Sequence, residues 1–489
     1  MNRLRRTAVA IAALGGAALP GVAGADGTSW YAIVTEHGTP IGHATEEIRS
    51  RAGGREIVEA QELDVGETVG PSTQLVNKAD PATHMSSRTV TQENASGRAV
   101  SVETYTQAGR GWSRIRAEIL ADKAVITRES EAEKRSVTVA LPPDTRFDNG
   151  DALLKTWDRK TKLEFMNFNV DALAVDRVTI EARGVADAQG RVPALRERFD
   201  GTELRSATRI LVDAKGDIVE AAQPLFGATI IVRAADRGTA LKPHPIYRVL
   251  PSVMTKSPFL ISHEAMLGHI RYRFEFRDGI EFALPSTGEQ RVKAENGTAT
   301  VDICEDCGPG PATDAASLAD ALRPTAWLQS DAPALHAIAD PVAVLKISDA
   351  EKMEMLRLKA KPYLGVVDFT GHYSALETLS RRRGDCTEAS VLLAALGRAA
   401  GIPTRVVNGL VYSRESYHGV ANVFMPHSWT LAYADGRWRS FDLALDKFDS
   451  THIALAIGDG DERSLVAASQ LAGLLIWKDM AEVRTAPSP

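Results

Sequence analysis

Cys386, His427 and Asp442 are the residues of this 489-residue chain whose types and spacing suit nucleophilic catalysis. A thiol becomes a strong nucleophile once a base removes its proton, and an imidazole is such a base near neutral pH. A carboxylate holds one ring nitrogen of that imidazole and leaves the other free to work. The local pattern says how the cysteine is carried. Asp385-Cys386-Thr387-Glu388 has the form of a capping box, with Asp385 as N-cap and Glu388 reaching back from the third helical position. The helix it starts shows an apolar stripe at Ala389, Leu392, Leu393, Leu396, Ala399 and Ala400, and Gly401 and Pro403 stop it. Cys386 is thus expected at the first helical position. There the free backbone N–H groups favour a thiolate, and Asp385 opposes them by like charge.

A strand is expected at Thr404 to Tyr412. A hairpin follows from His427 to Tyr433 and from Trp438 to Asp442, turned by Asp435-Gly436. A two-residue loop there places Trp429 opposite Asp442 and makes His427 a diagonal neighbour of Asp442 on one sheet face, within side-chain reach. Taken singly, each residue has an ordinary structural use: a cysteine packing under a helix, a histidine at a strand start, an aspartate opening a turn. Their joint occurrence with the intervening pattern is what points to a Cys-His-Asp relay. His418, in a Ser416-Tyr417-His418-Gly419 turn, is a rival base that lacks the strand context of His427.

The run Gly384-Asp385-Cys386-x-Glu388, then Leu393-x-x-Leu396-x-Arg398-Ala399-x-Gly401-Ile402-Pro403-x-Arg405, His427-x-Trp429, Asp435-Gly436-x-Trp438 and Asp442 resembles the bacterial transglutaminase-like family. The core likeness covers about 378 to 445, with a looser one from 327 to about 465. Where better-known members carry Asp-Pro at the end of the last strand, this chain has Asp442-Leu443. That departure removes no catalytic group.

The resemblance implies a papain-like fold, with a nucleophile helix packed on an antiparallel sheet. It maps the nucleophile onto Cys386, the general base and acid onto His427, and the orienting acid onto Asp442. The chemistry implied is acyl transfer through a thioester on peptide, isopeptide or glutamine amide bonds, ending in hydrolysis or in transfer to an amine. The Cys386 N–H would be one oxyanion donor. Tyr373 and Trp327 are candidates for the other, each equally readable as a core aromatic. Trp429 reads either as a shield over the Cys-His pair or as sheet packing. A second class of function stays open, a non-catalytic envelope binding or assembly protein that uses the domain as scaffold.

The elements that must position these residues lie behind a long β-rich front. Alternating segments at 30–34, 41–44, 100–107, 124–128, 136–140, 208–212 and 218–222 read as strands, and 151–158 as a short helix. One or two packed antiparallel sheets are expected there, curved into something like a half-barrel. A hairpin of 268–276 with 280–284 and a strand at 298–303 make a small β module, and helices are expected at 315–322, 333–339, 349–363 and 374–382. The fold class is α+β. The segments are a signal peptide (1–25), β-rich N-terminal domain or domains (26–240), a small β module ending in the C-x-x-C (241–312), and the transglutaminase-like domain (313–489).

Arg3, Arg5 and Arg6, an interrupted apolar stretch and Ala23-Gly24-Ala25 form the leader expected of an exported, periplasmic or secreted protein. In an oxidising compartment Cys304 and Cys307 are expected as a local disulfide, since a zinc site would need ligands that the nearby sequence does not show. Cys386 is then the odd thiol. The scattered His37, His43 and His84 read as surface or turn residues, and Asp459-Gly460-Asp461 as a turn too short for a calcium loop. With 57 Lys and Arg against 63 Asp and Glu and no long basic run, nucleic acid is excluded as a partner. A protein or peptide substrate is expected, such as a cell-wall peptide. No cofactor, metal or lasting membrane span is anticipated.

Overall fold

The computed structural model describes residues 27–66, 83–108, 111–130, 134–170, 172–225, 228–244, 246–248, 254–365, 372–414 and 420–484. The leader and His418 lie outside them. The described residues divide into two compact units, one ending at 248 and one starting at 254.

In the first unit, strands add one after another from Gly27–Thr35 to Lys134–Ala140, and again from Leu163–Asn169 to Ala228–Ala235. The two meanders become one antiparallel sheet where Gly27–Thr35 pairs with Ala228–Ala235, Trp30 opposite Ala235 through Thr35 opposite Ile230. The short strand Tyr247–Arg248 runs parallel to Val65 and Gly66 as a fifteenth member. A single sheet therefore replaces the choice of one or two. The helix expected over 151–158 is one turn, Asp151–Leu154. Leu154 and Trp157 bury against Ile180, Ala194, Ile210, Val212 and Ile218 of the sheet. His37 and His84 are exposed, and His43 stacks on Trp30.

The second unit holds the chemistry. Its main sheet runs Thr255–Lys256, Val423–Ala434, Thr404–Ser413, Ile453–Gly458, with Arg437–Phe441 on the free half of the Val423–Ala434 strand. Every pairing in it is antiparallel. The helix Cys386–Ala399 packs on this sheet and is buried from Thr387 through Arg398, not only along its apolar stripe. Helices Pro333–Ala343, Asp349–Ala360 and Ala375–Arg381 supply the residues that cover its other sides, among them Leu335, Ala339, Met353, Leu356 and Ala375. Two hydroxyls tie the helix to the sheet by donating to its carbonyls, Thr430 to Ser390 at 3.0 Å and Thr404 to Ala394 at 2.7 Å.

The segment expected as a separate β module does not stand alone. Ile270–Phe276 pairs with Thr298–Ile303 on one side and with the late strand Leu475–Glu482 on the other, and it belongs to the second unit. The hairpin expected between 268–276 and 280–284 is absent. Both edges of Ile270–Phe276 are already taken, and Arg277–Gly279 turns as a one-turn 3-10 helix, after which 280–284 carries no strand. Cys304 and Cys307 are joined as a disulfide just past Ile303.

Candidate active site

The hairpin turn sets the geometry. Asp435 (φ 52°) and Gly436 (φ 81°) both take positive φ, as a two-residue loop matching the sheet twist requires. The register then runs from Ala434 opposite Arg437 to Thr430 opposite Phe441. Asp442 follows directly, and its Oδ2 lies 2.7 Å from His427 Nε2. Its Oδ1 accepts the backbone N–H groups of Ala444 (2.8 Å) and Leu445 (2.9 Å). Both side chains are buried. Because Asp442 accepts at His427 Nε2, that nitrogen carries the hydrogen and a neutral imidazole keeps its lone pair on Nδ1.

The helix brings Cys386 to the same strand. Asp385 is the N-cap, accepting the Thr387 N–H at 2.7 Å, and its own N–H donates to Glu388 Oε2 at 2.9 Å. The Ser428 N–H, next along the chain from His427, donates toward the Cys386 sulfur. Cys386 is the free cysteine and stays partly open to solvent. Burial pushes its thiol pKa well up, the Asp385 carboxylate adds to the rise, and the Ser428 N–H pulls against both. The opposing influences at this helix start thus resolve toward the thiol. Glu388, also buried, is pushed well above the carboxylate range by that burial and by the facing Asp385.

One residue of the site was not foreseen. His452, buried and ten residues beyond Asp442, places Nε2 3.0 Å from the same Asp442 Oδ2 that holds His427. Its Nδ1 meets Asp449, 3.1 Å from the backbone O and 3.3 Å from Oδ1. No sequence motif marks it; the one available signal is its place directly before an apolar strand, Ile453–Gly458, which pairs next to the His427 strand's neighbour. The field of His427 and the hydrogen bonds from both histidines hold Asp442 far below the usual carboxylate range despite its burial. His452 is raised to about 9: burial opposes its charge, and Asp442 and Asp449 outweigh that.

Trp429 packs against both imidazoles, 6.2 Å from the His427 ring and nearly parallel to it, and edge-on to His452 at 5.2 Å. It is buried sheet core that touches both histidine rings. The Trp327 ring packs tilted on His372 at 4.2 Å, and the Tyr373 N–H donates to Glu388 Oε1 at 3.0 Å. Asp459 takes Arg398 and Arg405, and Asp461 caps the helix Glu462–Gly473.

Among the described residues, His427, Asp442 and His452 bring two nitrogens and an oxygen within 4.8 Å of one another, and His269 does so with Cys304 and Cys307. In the first group hydrogen bonds already engage those atoms; in the second the sulfurs are joined in the disulfide.

Residues 337–443 match the family model of the transglutaminase-like superfamily, so the chain carries a transglutaminase-like domain; Cys386, His427 and Asp442 fall inside the match and His452 outside it. None of the curated proteins compared matches the sequence. Among solved structures, a candidate cysteine protease from Cytophaga hutchinsonii is 16% identical over 45% of this chain and 91% of its own, with a TM-score of 0.27. A candidate protease from Parabacteroides distasonis is 13% identical over 75% of this chain and 69% of its own, with a TM-score of 0.19.

Proposed function

We propose that the transglutaminase-like domain of this chain is a cysteine enzyme that opens peptide, isopeptide or glutamine amide bonds through a thioester on Cys386. The observation that carries the reading is the buried His427–Asp442 contact of 2.7 Å on the strand whose Ser428 N–H reaches the Cys386 sulfur. Since burial favours the thiol, attack and proton transfer go together. The His427 Nδ1 lone pair takes the thiol proton as sulfur adds to the carbonyl, and His427 returns it to the departing ammonia or amine. The developing oxyanion meets the Cys386 N–H at the start of its helix, the next N–H groups being held by the Asp385 cap. Water or an amine then adds to the thioester, with His427 again taking the proton. Asp442, kept ionised, stabilises the imidazolium in both halves.

Alkylation tests the reading directly. Iodoacetamide should modify Cys386 in the native protein, and His427→Ala should slow that modification by roughly 10²-fold or more. Equal rates in the two proteins would sink it. Incubation with a glutamine-containing polypeptide and a labelled amine separates the two outcomes, label incorporation for transfer and ammonia release alone for hydrolysis.

Export to a periplasmic or extracellular location is part of the same proposal, supported by the N-terminal leader pattern and by the Cys304–Cys307 disulfide. No helix of the described residues is long and apolar enough to cross a membrane. A protein or peptide substrate such as a cell-wall peptide fits that location. Leader cleavage after Ala25, read by N-terminal sequencing of the exported protein, tests it.

A further inference from the structure

We propose that His452, clamped between Asp442 and Asp449, is a positioning residue that sets the orientation of His427 and the charge around the Cys-His pair, so the working unit is the chain His427–Asp442–His452–Asp449. The inference rests on the cysteine-enzyme reading above and extends it to two residues beyond the three that the sequence pattern named.

The geometry is continuous. Asp442 Oδ2 accepts from His427 Nε2 at 2.7 Å and from His452 Nε2 at 3.0 Å, while its Oδ1 is filled by two backbone N–H groups. Every acceptor direction of the carboxylate is thus occupied, and Asp442 cannot swing away from His427 without breaking a bond elsewhere. His452 is held in turn. Its Nδ1 lies 3.1 Å from the Asp449 backbone O and 3.3 Å from Asp449 Oδ1, the Asp449 N–H points to the same nitrogen at 3.3 Å, and that Oδ1 is itself anchored by the Thr451 N–H at 2.9 Å and the Thr451 hydroxyl at 2.6 Å. Phe448 packs on the His452 ring at 4.7 Å and Trp429 meets it edge-on. All four members of the chain are buried. An ordinary packing histidine would need one satisfied nitrogen. His452 engages both with carboxylate-bearing residues, one of which already serves His427.

The charges give this arrangement a function beyond shape. With His452 protonated, two carboxylates face one cation, and the imidazolium formed on His427 during attack brings the group to neutrality. The His452 charge also tempers the pull of Asp442, because the two rings are 5.5 Å apart at their centroids. At such a separation, in an effective dielectric of about 20, one unit charge moves the titration of a neighbouring group by roughly two units, and by less for a group farther off. The His452 charge therefore offsets part of the negative field that Asp442 sets up at Cys386 and beside His427. The other charged or titratable groups toward this cluster are Asp385 and Glu388 at the helix start, Tyr272 on the Ile270–Phe276 strand, which feels Asp449, and Glu289, bound to Ser440 beside Trp429. None of them supplies a second cation to Asp442.

The test measures iodoacetamide alkylation of Cys386 in the full chain against pH, with unfolding followed on the same samples. His452→Gln keeps an N–H for Asp442 and removes the charge, so its curve should move to higher pH by roughly one to two units. Asp449→Asn removes the partner that holds the His452 proton and should move the curve the same way. The double variant should move it no further than His452→Gln alone. An unchanged curve in both single variants, or a loss of thermal stability with the wild-type curve kept, would overturn the proposal. His427→Ala separates this failure from the larger one. If it abolishes rapid alkylation while His452→Gln leaves the curve in place, the cysteine-enzyme reading stands and the role of His452 falls.

Discussion

His427 and Asp442, fifteen residues apart, meet at 2.7 Å because a two-residue turn at Asp435-Gly436 folds one strand back on the other in a single register. Asp442→Asn keeps the size and one acceptor but offers an amide where His427 and His452 both bring N–H groups. Its turnover of an amide substrate should fall by about 10²- to 10⁴-fold. Retention of more than a tenth of the wild-type rate would show that Asp442 does not orient the base.

Asp385 raises the Cys386 pKa by like charge while capping its helix. Asparagine caps nearly as well as aspartate, so Asp385→Asn removes the charge with little loss of helix stability. Cys386 alkylation in this variant should move to lower pH, the direction opposite to His452→Gln. A shift upward, measured on the same iodoacetamide curve, would contradict the electrostatic account.

Gly409, on the strand Thr404–Ser413, pairs with Ala454 of the strand that follows His452. A Cβ there would lie 2.0 Å from the Ile453 carbonyl oxygen and 3.1 Å from the Trp429 ring. Backbone must then move, and Ile453 is joined to His452. Gly409→Ala should lose stability by roughly 1–3 kcal/mol or more, as overpacked sites do, and should also lose rapid alkylation of Cys386. Thermal denaturation and the alkylation rate check both parts; a wild-type melting temperature would refute the first.

The His452 pKa is raised to about 9 from an ordinary 6.5. A group raised on folding stabilises fully below its unfolded value and loses that contribution as pH climbs through the folded one. Stability of the 254–484 unit should therefore fall between about pH 6.5 and 9, by up to roughly 3 kcal/mol. Asp442 works at the other end: its depressed pKa contributes stability above the ordinary carboxylate value, and that contribution fades as acid protonates it. Melting temperature against pH reads both limbs, and His452→Gln should flatten the alkaline one.

Much of the site was legible because its signals are local. The capping box at Asp385 and Glu388, the stop at Gly401 and the Asp435-Gly436 turn each act within a few residues, so helix start and hairpin register follow from short-range chemistry. The strand at 298–303 and the helices from 315 onward are found close to their expected places for the same reason. The hairpin expected at 268–276 and 280–284, which the structure does not form, shows where this stops. The apolar residues of 280–284 bury without pairing, because the strand they would have joined is claimed by residues some two hundred positions later in the chain.

The amino-acid sequence alone determined that a cysteine opens a buried helix and that a histidine and an aspartate face each other across a hairpin, since turn geometry and side-chain period are short-range properties. Only the tertiary structure decided that His452 and Asp449 join them, that the thiol is favoured over the thiolate, and that 270–276 shares a sheet with 475–482. Those outcomes depend on which distant segments exclude water from a charge and which supply its partner, and no short window of sequence contains both.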